Sequence, residues 1–424
     1  MFRVIRELCE TLDPHPVARV AGGWVRDKLL GLDSDDIDIC VEHIDAYEFG
    51  KLLNSVVPGD RKKQIVIKSN PEHSKLIETT RVLVLDDKWI DICNLRAPKG
   101  VVGTPQTDAE HRDFTINALF YNICTRKVED LVGGIDDLEN RILKTPISPD
   151  QTFDEDPLRV LRAFRFMHRL NLKMSETLIE AAKNAKLHFD ETIARNRISI
   201  ELMKIIEKDG LIPFIEFLIG IDFFDSVFDP FHLWDLNPSE ALARVKVLKS
   251  RNPNDLIIPL YFSAIYTPLL HMPPYSDKLR KSKPISAIDC AMLRVLQPPH
   301  KTNEVSSILM KAADTFHILK FDRVSVGQWI REAGENWKYV QYILFADDQY
   351  MKFVNEFIPY VEMQNLQHIY SIKPLMNGSE LASFYQIKTG PKIKGLIEEL
   401  LLWQLSNPDG TLDDYKNYVL NKKQ

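Results

Sequence analysis

The sequence predicts an α+β protein, in which a mixed α/β head is followed by an entirely helical remainder. The head contains short apolar runs that alternate with turns and helix-like stretches, and this pattern ends near Lys144. Beyond it, and most clearly over residues 211–370, apolar residues recur at helical spacing and prolines mark the breaks. A chain of 424 residues with 45% hydrophobic and 27% charged content is long enough for two to four domains.

The head begins with a predicted strand, a glycine turn and a helix. An apolar run over residues 17–21 stops at Gly22 and Gly23, and a helix-like stretch over 24–30 follows. Glycine lets backbone N–H groups approach a phosphate closely, and the N-terminus of a helix is electropositive. The turn is therefore a candidate phosphate-binding element.

A second, acidic strand is predicted over residues 36–39. Side chains alternate between the faces of a strand, so Asp36 and Asp38 point the same way. Two neighbouring carboxylates repel each other unless a cation lies between them, and Mg²⁺ is usually held by one or two carboxylates plus substrate phosphates. The alternative is that these acids lie on a solvated strand edge. Together with the glycine turn they predict a Mg²⁺ site at Asp36 and Asp38, and hence nucleotidyl or phosphoryl transfer.

The remaining elements of the head follow the same alternation. They are a helix over 45–54, a strand over 64–68, and a hairpin of strands 76–85 and 88–95 that turns at Asp86 and Asp87. Asp91, on the second strand of the hairpin, is a candidate third carboxylate of the metal site.

Two later stretches combine charged side chains with apolar periodicity. Residues 110–122 are polar at the start and apolar afterwards, which suits a helix or strand end that presents Arg112 and Asp113 to a cleft. Residues 153–169 predict one amphipathic helix with Pro157 in its first turn. Its charged face would project Asp156 and Arg159 side by side. The alternative is an exposed ion pair of little energetic value.

Composition excludes several classes of protein. A net charge of −6 argues against a surface that coats nucleic acid as a whole. The five cysteines form no Cys-x-x-Cys pair, so neither a disulfide framework nor a zinc site is predicted. The most apolar window, 211–228, contains acids and a proline, which favours a core helix over a membrane span. Acidic residues near the N-terminus favour the cytosol or nucleus, with a mitochondrial form left open.

Five motifs, in this order, resemble the class II tRNA nucleotidyltransferases, the CCA-adding family of the DNA polymerase β superfamily. They are Gly22-Gly23 with the Asp36–Asp38 pair, Arg112-Asp113 with Asn117, the glycine-containing stretch 130–138, Glu155-Asp156 with Arg159, and the segment 195–202. One position departs from the family, because His111 stands where arginine is usual. The resemblance implies a polymerase-β-like head with a mixed sheet (1–144), an all-α neck with the base-recognition helix (145–210), a body (211–330) and a tRNA-binding tail (331–424).

The resemblance also implies roles for individual residues. Asp36 and Asp38 would be the catalytic metal ligands for Mg²⁺. The nucleotide-binding residues would be Gly22, Gly23, Arg26, Arg112, Asp113, Asn117, Asp156, Arg159 and Arg162. In the tail, Lys388, Lys392 and Lys394 beside Gly390-Pro391 would bind a phosphate of the tRNA body, although a plain helix-turn-helix core is the alternative. The basic run 278–283 is predicted as a solvated loop or a second tRNA contact.

Asp156 and Arg159 would act as a protein template. A carboxylate only accepts hydrogen bonds and a guanidinium only donates them. Cytosine donates through its N4 amine and accepts at N3 and O2, and adenine is read likewise through N6 and N1. Uracil and guanine present a carbonyl to the carboxylate, a mismatch that costs about 1–3 kcal/mol, roughly ten- to a hundredfold in discrimination.

The segment between Arg96 and Gly103 is only six residues long, Ala97 to Val102. In the family a longer flexible loop at this place helps to switch the site from C to A, and its loss marks enzymes that add only two cytidines. The resemblance therefore implies addition of CC to tRNA from CTP. The alternatives are a full CCA-adding enzyme that uses CTP and ATP, an A-adding enzyme, a poly(A) polymerase, and an inactive tRNA-binding module.

Overall fold

The computed structural model describes residues 1–34, 36–57, 63–68, 78–84, 88–97, 102–251, 258–275, 284–388 and 390–422. The chain forms two compact units, one of residues 1–233 with 295–297 and the other of residues 234–294 with 298–424. The first unit contains a seven-stranded sheet and helices, and the second is mainly helical. The predicted α+β class is therefore confirmed. The predicted domain boundaries at 144, 210 and 330 stay predictions.

The sheet of the first unit is mixed. Its strands are β1 (Val17–Ala21), β2 (Ile37–Glu42), β3 (Gln64–Ile67), β4 (Thr79–Val84), β5 (Lys88–Asn94), β6 (Leu119–Asn122) and β7 (Lys127–Asp130). They lie side by side in the order β3-β4-β5-β2-β1-β6-β7. β2 and β5 pair in parallel, whereas all other neighbouring pairs in this sheet are antiparallel. Two short strands, β8 (Ile142–Leu143) and β9 (Lys173–Met174), form a separate parallel pair.

The helices of the first unit surround this sheet and continue beyond it. They are α1 (Phe2–Thr11), α2 (Gly23–Leu29), α3 (Ala46–Val56), α4 (Pro105–Glu110), α5 (Gly134–Glu139), α6 (Pro149–Glu155), α7 (Arg159–Leu170), α8 (Glu176–Asn184), α9 (Lys186–Thr192), α10 (Arg195–Ile206), α11 (Leu211–Gly220) and α12 (Phe224–Phe228). A 3₁₀ turn over Thr115–Asn117 precedes β6.

The alternation predicted for the acidic strand agrees with the packing of β2. Ile39 is fully buried in the main apolar cluster, against residues of α1 and α3 such as Ile5 and Phe49. Cys40 is buried in a second cluster with Ala109 and Phe120. Because side chains alternate, Asp38 shares the face of Cys40 and is directed away from the main cluster. The sheet thus separates the apolar core from the face that carries the acids.

The helix predicted over 153–169 is wrong in one respect, because it is two helices. α6 ends at Glu155, Asp156 has an extended backbone (φ −155°, ψ 96°), and α7 begins at Arg159. The cause is Pro157, since the residue before a proline is sterically excluded from the helical region. Asp156 and Arg159 therefore do not share a helical face, and Asp156 lies at a bend.

The second unit is helical, as predicted. Its helices are α13 (Pro238–Arg251), α14 (Ile258–Tyr266), α15 (Ala287–Cys290), α16 (His300–Phe316), α17 (Arg323–Ala333), α18 (Asp347–Lys352), α19 (Ile358–Met363), α20 (Gly378–Tyr385), α21 (Lys392–Ser406) and α22 (Leu412–Lys422). 3₁₀ and π segments lie at Thr267–His271, Ala291–Leu296, Gly334–Ile343, Phe353–Phe357 and Ile369–Ser371. Aromatic rings form much of its interior, with the centroids of Phe316 and Phe353 5.0 Å apart. No helix in the described ranges has the length and apolarity of a membrane span.

Several predicted features lie outside the described residues. They are Asp86 and Asp87 at the hairpin turn, the basic run 278–283, Thr389, and residues 98–101 of the short segment.

Candidate nucleotide site

A cleft of about 570 Å³ in the first unit contains most of the predicted site residues. Those that line it are Gly22, Gly23, Arg26, Asp38, Arg112, Asp113, Asn117, Asp156, Arg159 and Arg162. The lining includes nine basic and four acidic side chains, so its charge favours a polyanion. Asp36 is exposed just before β2 and is not part of the lining.

The glycine turn needs glycine at its first position. Gly22 has φ +73°, a left-handed conformation that favours glycine, and its N–H donates to the carbonyl of Leu119 at 3.0 Å. A Cβ built on Gly22 would lie 3.0 Å from Nη1 of Arg112. The turn and the guanidinium are therefore closely adjacent, at the N-terminus of α2.

The carboxylates of the sheet form an electrostatically unfavourable group. Asp38 on β2 lies directly beside Asp91 on β5, and Asp91 is paired with Arg81, whose Nε is 2.6 Å from Oδ1. Loss of surrounding water raises the pKa of Asp38, and the negative charges of Asp91 and Asp36 raise it further. The positive charges of Arg112 and Arg96 oppose this shift. A cation at this position would relieve that repulsion.

The donor set fits Mg²⁺ rather than a fully protein-coordinated metal. Among the residues that the structure describes, no group of three or more His, Cys, Asp or Glu side chains is arranged to hold a metal ion. Asp36 and Asp38 supply hard oxygen donors, and a Mg²⁺ ion typically completes its shell with water and substrate phosphates. The predicted third carboxylate, Asp91, is already neutralised by Arg81.

Arg112 is held by a carboxylate that the sequence did not single out. Its Nε lies 3.1 Å from Oδ1 of Asp108, which is completely buried, and its guanidinium stacks over the ring of Phe120 at 5.1 Å. Arg96, at the start of the short segment, lies 4.0 Å from the same oxygen. A single buried acid thus holds one arginine and adjoins a second one at the cleft. The spacing of four between Asp108 and Arg112 is the only sequence signal for this contact.

Asp113 lies at the centre of a buried network. Its Oδ2 accepts hydrogen bonds from Arg162, at 2.9 Å from Nε and 2.5 Å from Nη2, and its Oδ1 accepts one from Asn117 at 3.0 Å. Arg26 in turn donates to Asn117 and to Asp27. Burial opposes ionisation, but the charge of Arg162 and these hydrogen bonds hold the pKa of Asp113 well below its usual range. Four of the predicted residues are therefore linked.

The helices α7 and α10 pack together through a second acid that was not predicted to be part of the site. Glu201 is buried and its Oε2 accepts from Nε of Arg165 at 2.6 Å, while Oε1 lies 3.5 Å from Nη1 of Arg162. These contacts pack α10 against α7. Arg165 and Glu201 are 36 residues apart in the sequence, so their pairing leaves no local pattern there.

The proposed base-reading pair lies at the break between α6 and α7. Oδ1 of Asp156 accepts from the N–H of Leu158 at 3.3 Å, and Oδ2 accepts from Arg197 at 2.7 Å. Arg159 is largely buried and donates to the carbonyls of Thr152 and His111, at 3.1 and 2.8 Å. Both side chains line the same cleft, although they are not on one helix face.

The three predicted tRNA-binding lysines belong to the second unit. Lys392 and Lys394 are exposed on α21, and Lys388 is exposed in the turn before it.

Comparison with known proteins agrees with this architecture. Residues 18–144 match the family model of the poly A polymerase head domain. The tRNA nucleotidyltransferase cca1 of Schizosaccharomyces pombe is 28% identical over 96% of this chain and 92% of its own length. The mitochondrial CCA tRNA nucleotidyltransferase of Candida glabrata is 28% identical over 95% of this chain and 90% of its own. Over nearly its full length the chain is therefore similar to tRNA nucleotidyltransferases, and over residues 18–144 to the poly A polymerase head domain.

A solved structure agrees in fold. The Thermotoga maritima CCA-adding enzyme complexed with tRNA covers 100% of this chain and 95% of its own, with a TM-score of 0.64 and 21% identity. At this identity the likeness shows the fold alone. The matched head domain and the near-full-length relatives together make this chain an enzyme of the nucleotidyltransferase class.

Proposed function

We propose that this nucleotidyltransferase adds cytidines to the 3′ end of tRNA from CTP, without a nucleic-acid template and with release of pyrophosphate. The observation that carries the proposal is that Asp156 and Arg159 line the cleft that Asp38 also lines. One side chain only accepts hydrogen bonds and the other only donates them, as the Watson–Crick edge of cytosine requires. The names of the full-length relatives support tRNA as the acceptor.

The free donors of Arg159 match this role. Within the described part of the chain, Nη1 donates to Thr152 and Glu155, and Nη2 donates once, to His111. Of the five N–H groups of a guanidinium, Nε–H and one Nη2–H remain. Two donors are the number that N3 and O2 of cytosine accept.

In the proposed reaction the 3′-hydroxyl of tRNA attacks the α-phosphate of CTP. A phosphodiester bond forms, the bond between the α- and β-phosphates breaks, and pyrophosphate leaves. Asp36 and Asp38 would hold Mg²⁺, which lowers the pKa of the attacking hydroxyl and neutralises the leaving group. The Gly22 turn and Arg112 bind the phosphates, and Asp113 binds the ribose.

Within this function we favour addition of CC alone, because only six residues separate Arg96 from Gly103. Two hydrogen bonds hold the ends of this segment together. The N–H of Gly103 donates to the carbonyl of Leu95 at 2.9 Å. The hydroxyl of Thr107 donates to the carbonyl of Arg96 at 3.1 Å. We therefore propose that six residues are too few to do what the longer loop of the family does. Full CCA addition from CTP and ATP is the second candidate, favoured by the CCA tRNA nucleotidyltransferase among the relatives.

Primer-extension assays test these readings. Transcripts of tRNA that end before the CCA sequence, after C, or after CC are incubated with CTP and ATP, separately and together. We expect two cytidines to be added and no adenosine to follow. Addition of A after CC would overturn the CC-only reading in favour of CCA addition, and A addition without C would indicate an A-adding enzyme. Long A tails on generic RNA, or no incorporation at all, would overturn the proposed function.

The exposed lysines of the second unit are the proposed tRNA contact. Lys388, Lys392 and Lys394 would neutralise tRNA phosphates, so their replacement by glutamate is expected to weaken tRNA binding and to reduce its salt dependence. Filter binding at two salt concentrations measures both effects. We place the enzyme in the cytosol or nucleus, with a mitochondrial form as the alternative, and imaging of a tagged full-length chain decides between them.

A further inference from the structure

We propose that His111 is a positioning residue that sharpens base selection, because it anchors the carboxylate that holds Arg159. This inference rests on the proposed function and concerns the position at which the chain departs from the arginine usual in its family. The structural observation is a chain of contacts from His111 through Glu155 to Arg159.

The first contact joins the imidazole to the carboxylate. Nδ1 of His111 lies 2.8 Å from Oε1 of Glu155, which is hydrogen-bond distance. The side chain of His111 is 24% exposed and that of Glu155 is 28% exposed, so both are partly open to solvent. Glu155 is the last residue of α6, and the chain bends directly after it. Without an anchor, a partly exposed side chain at a helix end has alternative rotamers in water.

The second contact joins the carboxylate to the guanidinium. Oε2 of Glu155 accepts from Nη1 of Arg159 at 3.2 Å, while Oε1 is engaged by His111. The two oxygens of one carboxylate therefore bridge the imidazole and the guanidinium. The backbone carbonyl of His111 also accepts from Nη2 of Arg159, at 2.8 Å. Residue 111 thus contacts Arg159 directly through its backbone and indirectly through its side chain.

Together with the carbonyls of Thr152 and His111, this bridge fixes the plane of the Arg159 guanidinium. The direction of the two remaining N–H groups follows from that plane, since the guanidinium is rigid. Cytosine offers acceptors at N3 and O2, whereas uracil carries a hydrogen on N3 and would face Arg159 donor to donor. A guanidinium that can rotate tolerates this mismatch better than one that is held. Loss of the imidazole should therefore reduce discrimination rather than abolish turnover.

The test compares CTP with UTP on a tRNA transcript that lacks the CCA sequence. For H111A we expect the ratio of kcat/KM for CTP to that for UTP to fall about three- to tenfold, the range for the net contribution of one typical intramolecular hydrogen bond. H111R restores a donor to Glu155 and should recover most of the ratio. H271A is the matched control, because His271 lies 3.5 Å from Asp314 in the second unit and removal of this pair leaves the cleft unchanged.

A double mutant separates positioning from general damage. If His111 acts through Glu155, H111A/E155A should discriminate no worse than E155A alone, because the two changes break the same bridge. Thermal unfolding of each variant reports folding, and the CTP-to-UTP ratio is independent of the fraction of active protein. An unchanged ratio in H111A, or a fall that H111R fails to recover, would overturn the inference. Wild-type protein that incorporates no cytidine would instead overturn the proposed function.

Discussion

Asp113 and Arg162 are joined by two hydrogen bonds to one carboxylate oxygen, at 2.9 and 2.5 Å, across 49 residues of sequence. Asp113 follows α4 and Arg162 lies on α7, so the pair connects the strand-bearing part of the head to the helix that begins at Arg159. Both residues line the cleft. The ion pair would therefore couple the proposed nucleotide site to the position of α7.

This pair should make stability depend on pH. The pKa of Asp113 is lower in the folded than in the unfolded protein, so the unfolded state binds more protons between the two values and stability rises with pH there. The stabilisation is complete above the unfolded pKa of about 4 and is lost as pH falls toward the folded one. We expect D113N to be less stable than wild type at pH 7 and to lose less stability between pH 5 and pH 3.

Urea unfolding at several pH values measures this effect. D33N is the control, because Asp33 is fully exposed and, within the described ranges, pairs with Lys28 alone, at 3.1 Å. Equal pH dependence in D113N and wild type would contradict the assignment.

Removal of the carboxylate of Asp38 should separate catalysis from tRNA binding. D38N keeps the shape of the side chain but removes the charge that a Mg²⁺ ion requires. We expect incorporation to fall by at least about a thousandfold, as for loss of a major electrostatic contribution to catalysis, while affinity for tRNA is unchanged. A single-turnover assay and filter binding measure the two quantities. Substantial incorporation by D38N would show that the metal is held elsewhere.

Asp108 should act on nucleotide affinity through Arg112. D108N leaves the buried arginine without its charged partner, so we expect affinity for CTP to fall about tenfold. Affinity for cytidine, which carries no phosphate, should change little. Titration calorimetry with both ligands makes the comparison.

D137N is the matched control for this prediction. Asp137 is a buried carboxylate of the same unit, 2.7 Å from Lys144, and it does not line the cleft. A similar loss of CTP affinity in both variants would indicate general destabilisation instead of a specific effect on the phosphate contact.

The two glycines of the turn should respond differently to substitution. G22A places a side chain at φ +73° and a Cβ 3.0 Å from Arg112, so we expect a loss of about 1–2 kcal/mol in the free energy of unfolding. The nearest atom to a Cβ on Gly23 is Nη2 of Arg26 at 3.5 Å, an ordinary contact, and its φ is not positive. G23A should therefore unfold like wild type in denaturant. Equal destabilisation would contradict the strain at Gly22.

Local patterns in the sequence predicted most of the elements of the head. The run at 17–21, the glycine turn and the alternation at Ile37 and Ile39 identified β1, α2 and the start of β2 within one residue, although β2 ends three residues later than predicted. They could do so because hydrophobic periodicity and glycine conformations are properties of neighbouring residues. The same local reasoning was wrong at Pro157. The apolar spacing predicted one continuous helix there, but a proline disfavours the helical conformation of the residue before it, and Asp156 is extended.

What the sequence by itself determined is the class of chemistry, because two aspartates on a strand after a glycine turn predict a metal–phosphate site wherever the strand lies. What only the tertiary structure decided is which charges are held and by which partners. Asp108, Glu201 and Arg81 each neutralise a charge at the cleft or beside it. The reason is physical: ion pairs and hydrogen bonds depend on distance in space, and the partners Arg165 and Glu201, or Arg159 and the carbonyl of His111, are separated by tens of residues along the chain.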